Sequence, residues 1–195
     1  MKDRTPRMDP GELQAVREYL GLTTEHLASM LGIRNDTLRR WESGREMVPH
    51  RVREEIEELE AATSRAVGEL VAALQDARDL AVRVYRTDEA MHRDRPDMEH
   101  LPARWWRHVV MRACEEVPGV EVFSGLSPWR QAGLDQDEYV AHGEDGEYVL
   151  TLMPLGWCVL DPSGMSTGSE DTFAAAQQMA DEVHRRRTSP RAGRG

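Results

Sequence analysis

Lysine is nearly missing from this chain. Of its 25 basic residues only Lys2 is lysine, a skew that fits a GC-rich genome and says nothing of function. Cysteine is almost as scarce. Cys114 and Cys158 stand alone and far apart, and neither belongs to a CxxC pair. That argues against a zinc ribbon and a disulfide framework, and leaves two thiols expected to be buried in a reducing cytoplasm. No apolar run reaches the roughly 18 residues of a membrane-spanning helix, and no basic leader precedes an apolar stretch. Neither a membrane span nor an export signal is expected.

Catalytic signatures are lacking as well. There is no GxSxG, no phosphate-binding loop and no Cys–His pairing that would suggest a nucleophile. His92, His100 and His108 recur at intervals of eight, which does not place them on one helical face as paired metal ligands require. They are expected as solvated or core-edge histidines. HGEDGE (142–147) clusters acids at a turn but lacks the length and ligand order of a calcium loop, and reads as an exposed hairpin turn. No catalytic residue, cofactor or metal is expected, and the chain is not read as an enzyme.

What is present begins with an uneven charge. The net of −10 over 195 residues looks hostile to nucleic acid until it is divided. Residues 1–53 carry ten basic against eight acidic side chains, a net of +2, and residues 54–195 carry fifteen against twenty-seven, a net of −12. A mildly basic head precedes an acidic remainder.

The head contains three short segments that open alike. Asp9 precedes Pro10 and Glu12, which predicts an N-cap, a first-turn proline and the returning half of a capping box. Met8 and Leu13 fall where a hydrophobic staple belongs. Thr23 caps the second segment between Leu22 and Leu27. The third opens at Ile33–Arg34, where arginine is a poor cap and Asn35 is expected to serve instead. Leu13, Val16 and Leu20 share one stripe, Leu27, Ala28 and Leu31 another, and Leu38 and Trp41 a third. With tight joints at Gly21 and Gly32, the second and third helices form a helix-turn-helix.

LGLTTEHLASMLGIRNDTLRRWESGRE resembles the Cro/repressor-type helix-turn-helix, from the LT…LA…LG opening to the RWExGR close. The resemblance covers about residues 12–53 and implies a lambda-repressor-like head. It implies that Arg17 and Glu42 form a structural ion pair fixing the first helix to the third. It also implies a third helix in the DNA major groove, with Asn35, Asp36, Arg39 and Arg40 at the base edges. Arginine chelates guanine, asparagine chelates adenine, and aspartate accepts from cytosine. Thr24, Arg34, Arg45 and Arg51 are the expected phosphate contacts.

Pro49 starts a helix expected to run to about Arg78, with Val52, Ile56, Leu59, Thr63, Val67, Leu70 and Leu74 in one stripe. So long a stripe needs a partner, and a second copy of itself is the simplest. EEIEELE (54–60) is expected to be a solvated face. LAVRVYR (80–86) reads as a strand, EAMHRDRPD as a polar connection, and residues 102–117 as a helix with Trp106, Val109, Val110 and Ala113 inward. This order is similar to the YdiL-like proteins and the related anti-CRISPR-associated repressors, which carry a VY-like pair and a tryptophan-centred closing helix. Val84–Tyr85 and Trp106 match that pattern, extending the resemblance to residues 9–118. It implies a twofold homodimer, with Leu70, Leu74, Val84, Tyr85, Trp106 and Val110 as interface candidates.

Residues 119–184 have no counterpart in that resemblance. Strands are expected over 120–123, 138–141, 147–153 and 157–161. A final helix should carry Phe173, Ala176, Ala180 and Val183, giving a small sheet with one covering helix. The expected organisation is a helix-turn-helix domain (1–53), an α/β dimerisation region (54–118), a small α+β module (119–184) and a disordered basic tail with five arginines (185–195). The functional expectation is a cytoplasmic, dimeric transcriptional repressor on an inverted repeat of double-stranded DNA, acting on its own operon by resemblance. Two rivals stand beside it. One is an antitoxin-type protein that binds a protein partner through residues 119–184. The other is an RNA-binding regulator working through that module.

Overall fold

The computed structural model describes residues 6–132 and 137–189. Packing divides the chain into two compact units. The first holds the residues up to Leu80 together with Val84–Val120, and the second holds Ala81–Arg83 and the residues from Glu121 onward.

The first unit opens with α1 (Pro10–Tyr19), α2 (Thr24–Met30) and α3 (Asn35–Glu42). Asp9 accepts from the Gly11 N–H at 2.8 Å and Glu12 returns to the Asp9 N–H at 3.2 Å, closing the capping box. Thr23 caps α2 through the His26 N–H. α3 departs from expectation. Arg34 occupies the cap position without a side-chain bond, and Asn35 is the first helical residue. Its amide is engaged elsewhere, as described below. Met8, Leu13, Leu20, Leu22, Leu27, Leu38 and Trp41 are buried between the three helices, while Val16 and Leu31 are half-buried.

One polar group lies among them. Arg17 donates through Nε to Glu42 Oε1 at 2.6 Å and through Nη2 to Glu42 Oε2 at 3.2 Å, and its Nη1 donates to the Leu22 carbonyl at 2.9 Å. Both side chains are 10% exposed. This fork ties α1 to the end of α3 and to the α1–α2 turn.

α4 (His50–Asp76) is about 40 Å long. Val52, Ile56, Thr63, Val67, Val71 and Leu74 form its buried stripe, with Leu59 and Leu70 half-buried. The partner along that stripe belongs to the same chain. α6 (Ala103–Glu116) lies against α4, and Trp105 Nε1 donates at 3.0 Å to Thr63 Oγ1, which donates at 2.8 Å to the Leu59 carbonyl. A second copy is therefore not needed to cover α4.

The stretch between α4 and α6 holds more structure than its composition suggests. The strand β1 is only Ala81–Arg83. Val84 and Tyr85 leave it because Tyr85 is drawn inward: its hydroxyl donates to Asp94 and its carbonyl accepts from Arg107. What reads as a polar connection folds into α5 (Asp88–Asp94), capped by Thr87 and anchored by the buried Met91, followed by a 3-10 turn at Pro96–Met98.

β1 pairs in parallel with β2 (Glu121–Phe123), which lies within the strand expected over 120–123. These two strands belong to the second unit, so the chain enters that unit, returns to the first through Val84–Val120, and leaves again. There Arg83 donates to the Gly125 and His142 carbonyls and stacks on Phe123 at 5.0 Å.

The rest of the second unit is an antiparallel meander: β3 (Arg130–Gln131), β4 (Glu138–Gly143), β5 (Gly146–Met153), β6 (Gly156–Leu160) and β7 (Ser166–Glu170). Its inner face buries Ala141, Tyr148, Leu150 and Val159 against Ala176 and Ala180 of α7 (Phe173–Thr188). Tyr139, Trp157 and Phe173 close one end, with ring centroids 4.6–5.9 Å apart. α7 takes in Arg185–Thr188, the first residues of the stretch expected to be disordered, while residues 190–195 lie outside the described residues. These arginines have partners. Arg185 and Arg186 pair with Glu182, and Arg187 pairs with Asp145 and Asp161, both at 2.8 Å.

The other end of this unit is held by a polar network. Asp145 accepts from Tyr148 Oη at 2.9 Å and from Arg187 Nε at 2.8 Å, and its second oxygen lies 2.8 Å from His184 Nδ1. Burial alone would raise the Asp145 carboxyl, but bonds from Arg187, Tyr148 and His184 bring it below its ordinary value of 3.8.

Two outcomes follow. Arg17→Met leaves Glu42 buried without its partner and should cost about 3–5 kcal/mol in urea unfolding. The double change Arg17→Met/Glu42→Leu should cost less than the sum of the single changes. Because the folded Asp145 value lies below the unfolded one, its stabilisation is present above the unfolded value and is lost as pH falls through the folded value. Denaturant titrations from about pH 5 downward should show Asp145→Asn less stable than the unaltered chain at the upper end, with the difference shrinking as the pH falls.

Candidate nucleic-acid interface

α2, the turn at residues 31–34 and α3 form the helix-turn-helix. Gly32 takes the turn at φ +64°. Leu38 and Trp41 anchor the inner side of α3 in the core, which leaves Asp36 and Arg39 exposed and Asn35 and Arg40 half-buried.

The four side chains differ in their engagements. Asn35 Nδ2 donates to Glu25 Oε1 at 2.8 Å, and Arg39 Nη2 reaches the same oxygen at 3.2 Å. Arg40 Nε lies 2.9 Å from Glu46 Oε1, although its N–H is not aligned for a hydrogen bond, and Nη2 donates weakly to Thr37 Oγ1 at 3.4 Å. Asp36 has no side-chain partner among the described residues. The Glu25 carboxyl is held below the usual carboxylate range, first by its own backbone N–H and then by Asn35. It is an anion in the middle of the set.

The flanking residues expected at phosphates are spread around this surface. Arg34 and Arg45 are exposed and unpaired among the described residues, Thr24 is half-buried in the first turn of α2, and Arg51 lies 3.5 Å from Glu55. Free guanidinium groups beside a helix that presents arginine, asparagine and aspartate can bind a polyanion and read donor and acceptor edges.

Glu25 and Glu46 were not singled out by sequence reasoning. Each resembles an ordinary surface acid, and their role depends on contacts ten and six residues away in sequence. Arg53 was missed for the same reason. It donates to Glu12 at 2.8 Å and to the Pro6 carbonyl at 2.7 Å, securing the start of α4 to α1.

The head is also fastened to the later helices of its unit. His26 Nε2 lies 3.3 Å from Asp88, whose other oxygen accepts from the Ala103 N–H at 2.7 Å. His108 Nδ1 lies 3.2 Å from the Tyr19 carbonyl, and Arg112 stacks on the Tyr19 ring at 4.9 Å. Gly21, at φ +71°, lets the His108 ring come close, since a Cβ there would lie 2.4 Å from it. Of the residues expected at a dimer interface, Leu74, Tyr85, Trp106 and Val110 are buried within this unit, and Leu70 and Val84 are half-buried. α4 and α6, which carry Leu70, Leu74, Trp106 and Val110, pack on each other within the unit, Tyr85 bonds to Asp94 and Arg107, and Arg95 stacks over Trp106 at 4.1 Å.

No helix among the described residues is long and apolar enough to cross a membrane. No curated protein matches the chain. The family model described as Aca2/YdiL-like matches residues 8–117, more than half of the sequence and nearly all of the first unit beyond its amino terminus. The chain therefore belongs to the Aca2/YdiL-like family of helix-turn-helix, anti-CRISPR-associated regulators.

Proposed function

We propose that the chain is a transcriptional repressor that binds an inverted repeat as a homodimer and controls the promoter of its own operon. The observation that carries this reading is the recognition surface itself. α3 is braced from behind by the Arg17–Glu42 pair and presents Asn35, Asp36, Arg39 and Arg40, flanked by Thr24, Arg34, Arg45 and Arg51. In this reading Arg40 chelates guanine O6/N7, Asn35 reads adenine, Asp36 accepts from cytosine, and Arg39 works beside them. The mildly basic head is drawn to DNA while the acidic remainder is repelled, which orients the approach.

The dimer follows from how little one head can read. Two heads related by a dyad double the contacts and place their recognition helices about 34–36 Å apart on one face of the duplex. The implied operator has half-sites one helical turn apart.

A protein-binding role for the second unit is the competing reading. It draws on the apolar tip of the β5–β6 hairpin, where Leu155 is 88% exposed beside the exposed Leu152 and Met153. A partner that co-purifies with the whole chain and is lost on Leu155→Ser would favour it.

In vitro selection of bound duplexes should return a palindrome with that spacing. Against the selected site, Arg40→Ala should lose about 1–3 kcal/mol of binding and relax preference at one base pair in each half-site. Undiminished binding by Arg40→Ala would show that α3 does not read the groove as proposed.

A further inference from the structure

The Glu25 contacts have a consequence for specificity that rests on the reading of α3 as the groove helix. Glu25 projects from α2 across the first turn of α3, and one of its oxygens receives both the Asn35 amide and the Arg39 guanidinium. A carboxylate only accepts, so the amide must turn Nδ2 toward it. The Asn35 Oδ1 atom is then buried and has no donor. Held this way, with one N–H engaged and Oδ1 buried, Asn35 cannot present the donor–acceptor pair by which asparagine recognises adenine. A buried acceptor without a donor is a cost the free head carries. A base edge that both donates and accepts would remove that cost once the amide rotates.

The geometry points to Glu25 as a specificity-determining residue, a carboxylate that holds Asn35 and Arg39 back from any duplex unable to replace it. On a cognate site the base edge takes over the amide, and Arg39 finds a partner in the groove. On other DNA, Arg39 turns to a phosphate by loosening its single bond to Glu25, whose charge then faces a polyanion with no donor in exchange. Discrimination arises here by burdening the wrong duplex rather than by improving the right one. The Glu25–Arg39 pair suits that task because both side chains are 60% exposed. An exposed pair is weak enough to be exchanged at each encounter.

The test compares the selected operator with a scrambled duplex of equal length at one fixed salt concentration. Glu25→Gln should tighten binding to the scrambled duplex by about 3–10-fold while changing the operator by less than about 2-fold, so the specificity ratio falls. In an Arg39→Gln background that tightening should vanish, because the cation it releases is gone. Equal tightening on both duplexes, or in both backgrounds, would overturn the proposal and leave only general charge repulsion. Nuclear magnetic resonance of the free chain examines the contact without DNA. The Asn35 side-chain amide signals should shift on Glu25→Gln, and unmoved signals would overturn the clamp whatever the binding data show. An unaltered chain that binds neither duplex at low salt, with shifted amide signals, would instead overturn the groove reading and take the specificity role with it.

Discussion

The outward surface of α3 depends on a buried charge pair that does not belong to it. Arg17 spends its donors on Glu42 and on the Leu22 carbonyl, with a further contact to Glu18. Glu42 is the last residue of α3, so the pair fixes the far end of that helix while Leu38 and Trp41 fix its inner side. A helix of eight residues has little stability of its own. Its position is set by what holds its ends and inner face, and a guanidinium fork specifies orientation as well as distance. Burying two charges adds little net stability, so the pair acts through geometry more than energy.

Charge is handled differently on the outer side of the same helix. There the cations meet carboxylates that are exposed and easily exchanged: Glu25 for Arg39 and Glu46 for Arg40. The Arg17 side chain is 10% exposed and the Arg39 side chain 60%. The low dielectric around the first makes separation costly, and water around the second makes it cheap. One short helix thus carries a permanent ion pair at its back and labile ones at its front. The second unit repeats the permanent kind where Asp145 meets His184 and Tyr148, locking α7 onto the sheet, with the more exposed Arg187 added from outside.

Much of the head was legible because its signals are local. Asp9, Glu12 and Thr23 act within one helical turn, and the stripes of α1, α2 and α3 repeat at the helical period. The long helix showed its stripe for the same reason, but the sequence could not say what covers it. A periodic apolar face looks the same whether its partner is a second copy or a segment forty residues later. α6 lay in view as a helix, yet its docking through Trp105 and Thr63 links residues 42 apart. Short elements with little apolar content were the other loss. α5 rests on a threonine cap and one buried methionine, which make no period. β7 reads STGSE because an edge strand with a glycine needs no alternation to pair with β6. The partners of Asn35, Arg39 and Arg40 were out of reach, since any surface glutamate could have supplied them.

The links between the head and the later helices change what a signal at one place can do at another. Asp88 accepts from the first N–H of α6 and lies beside His26 of α2, and His108 of α6 occupies the space that Gly21 leaves open in the α1–α2 turn. The helix-turn-helix is therefore not a bead on a tether. α6 also covers the stripe of α4, so its rotation or shift would be felt by α1 and α2 through His108 and Asp88 and by α3 through the Arg17 fork. Packed cores tend to move between discrete arrangements rather than deform smoothly. Any association that used the outer side of α6, where Met111 is exposed, would act on the same element that supports α3. A contact on α6 and the position of α3 would then be coupled through one helix, without a separate hinge.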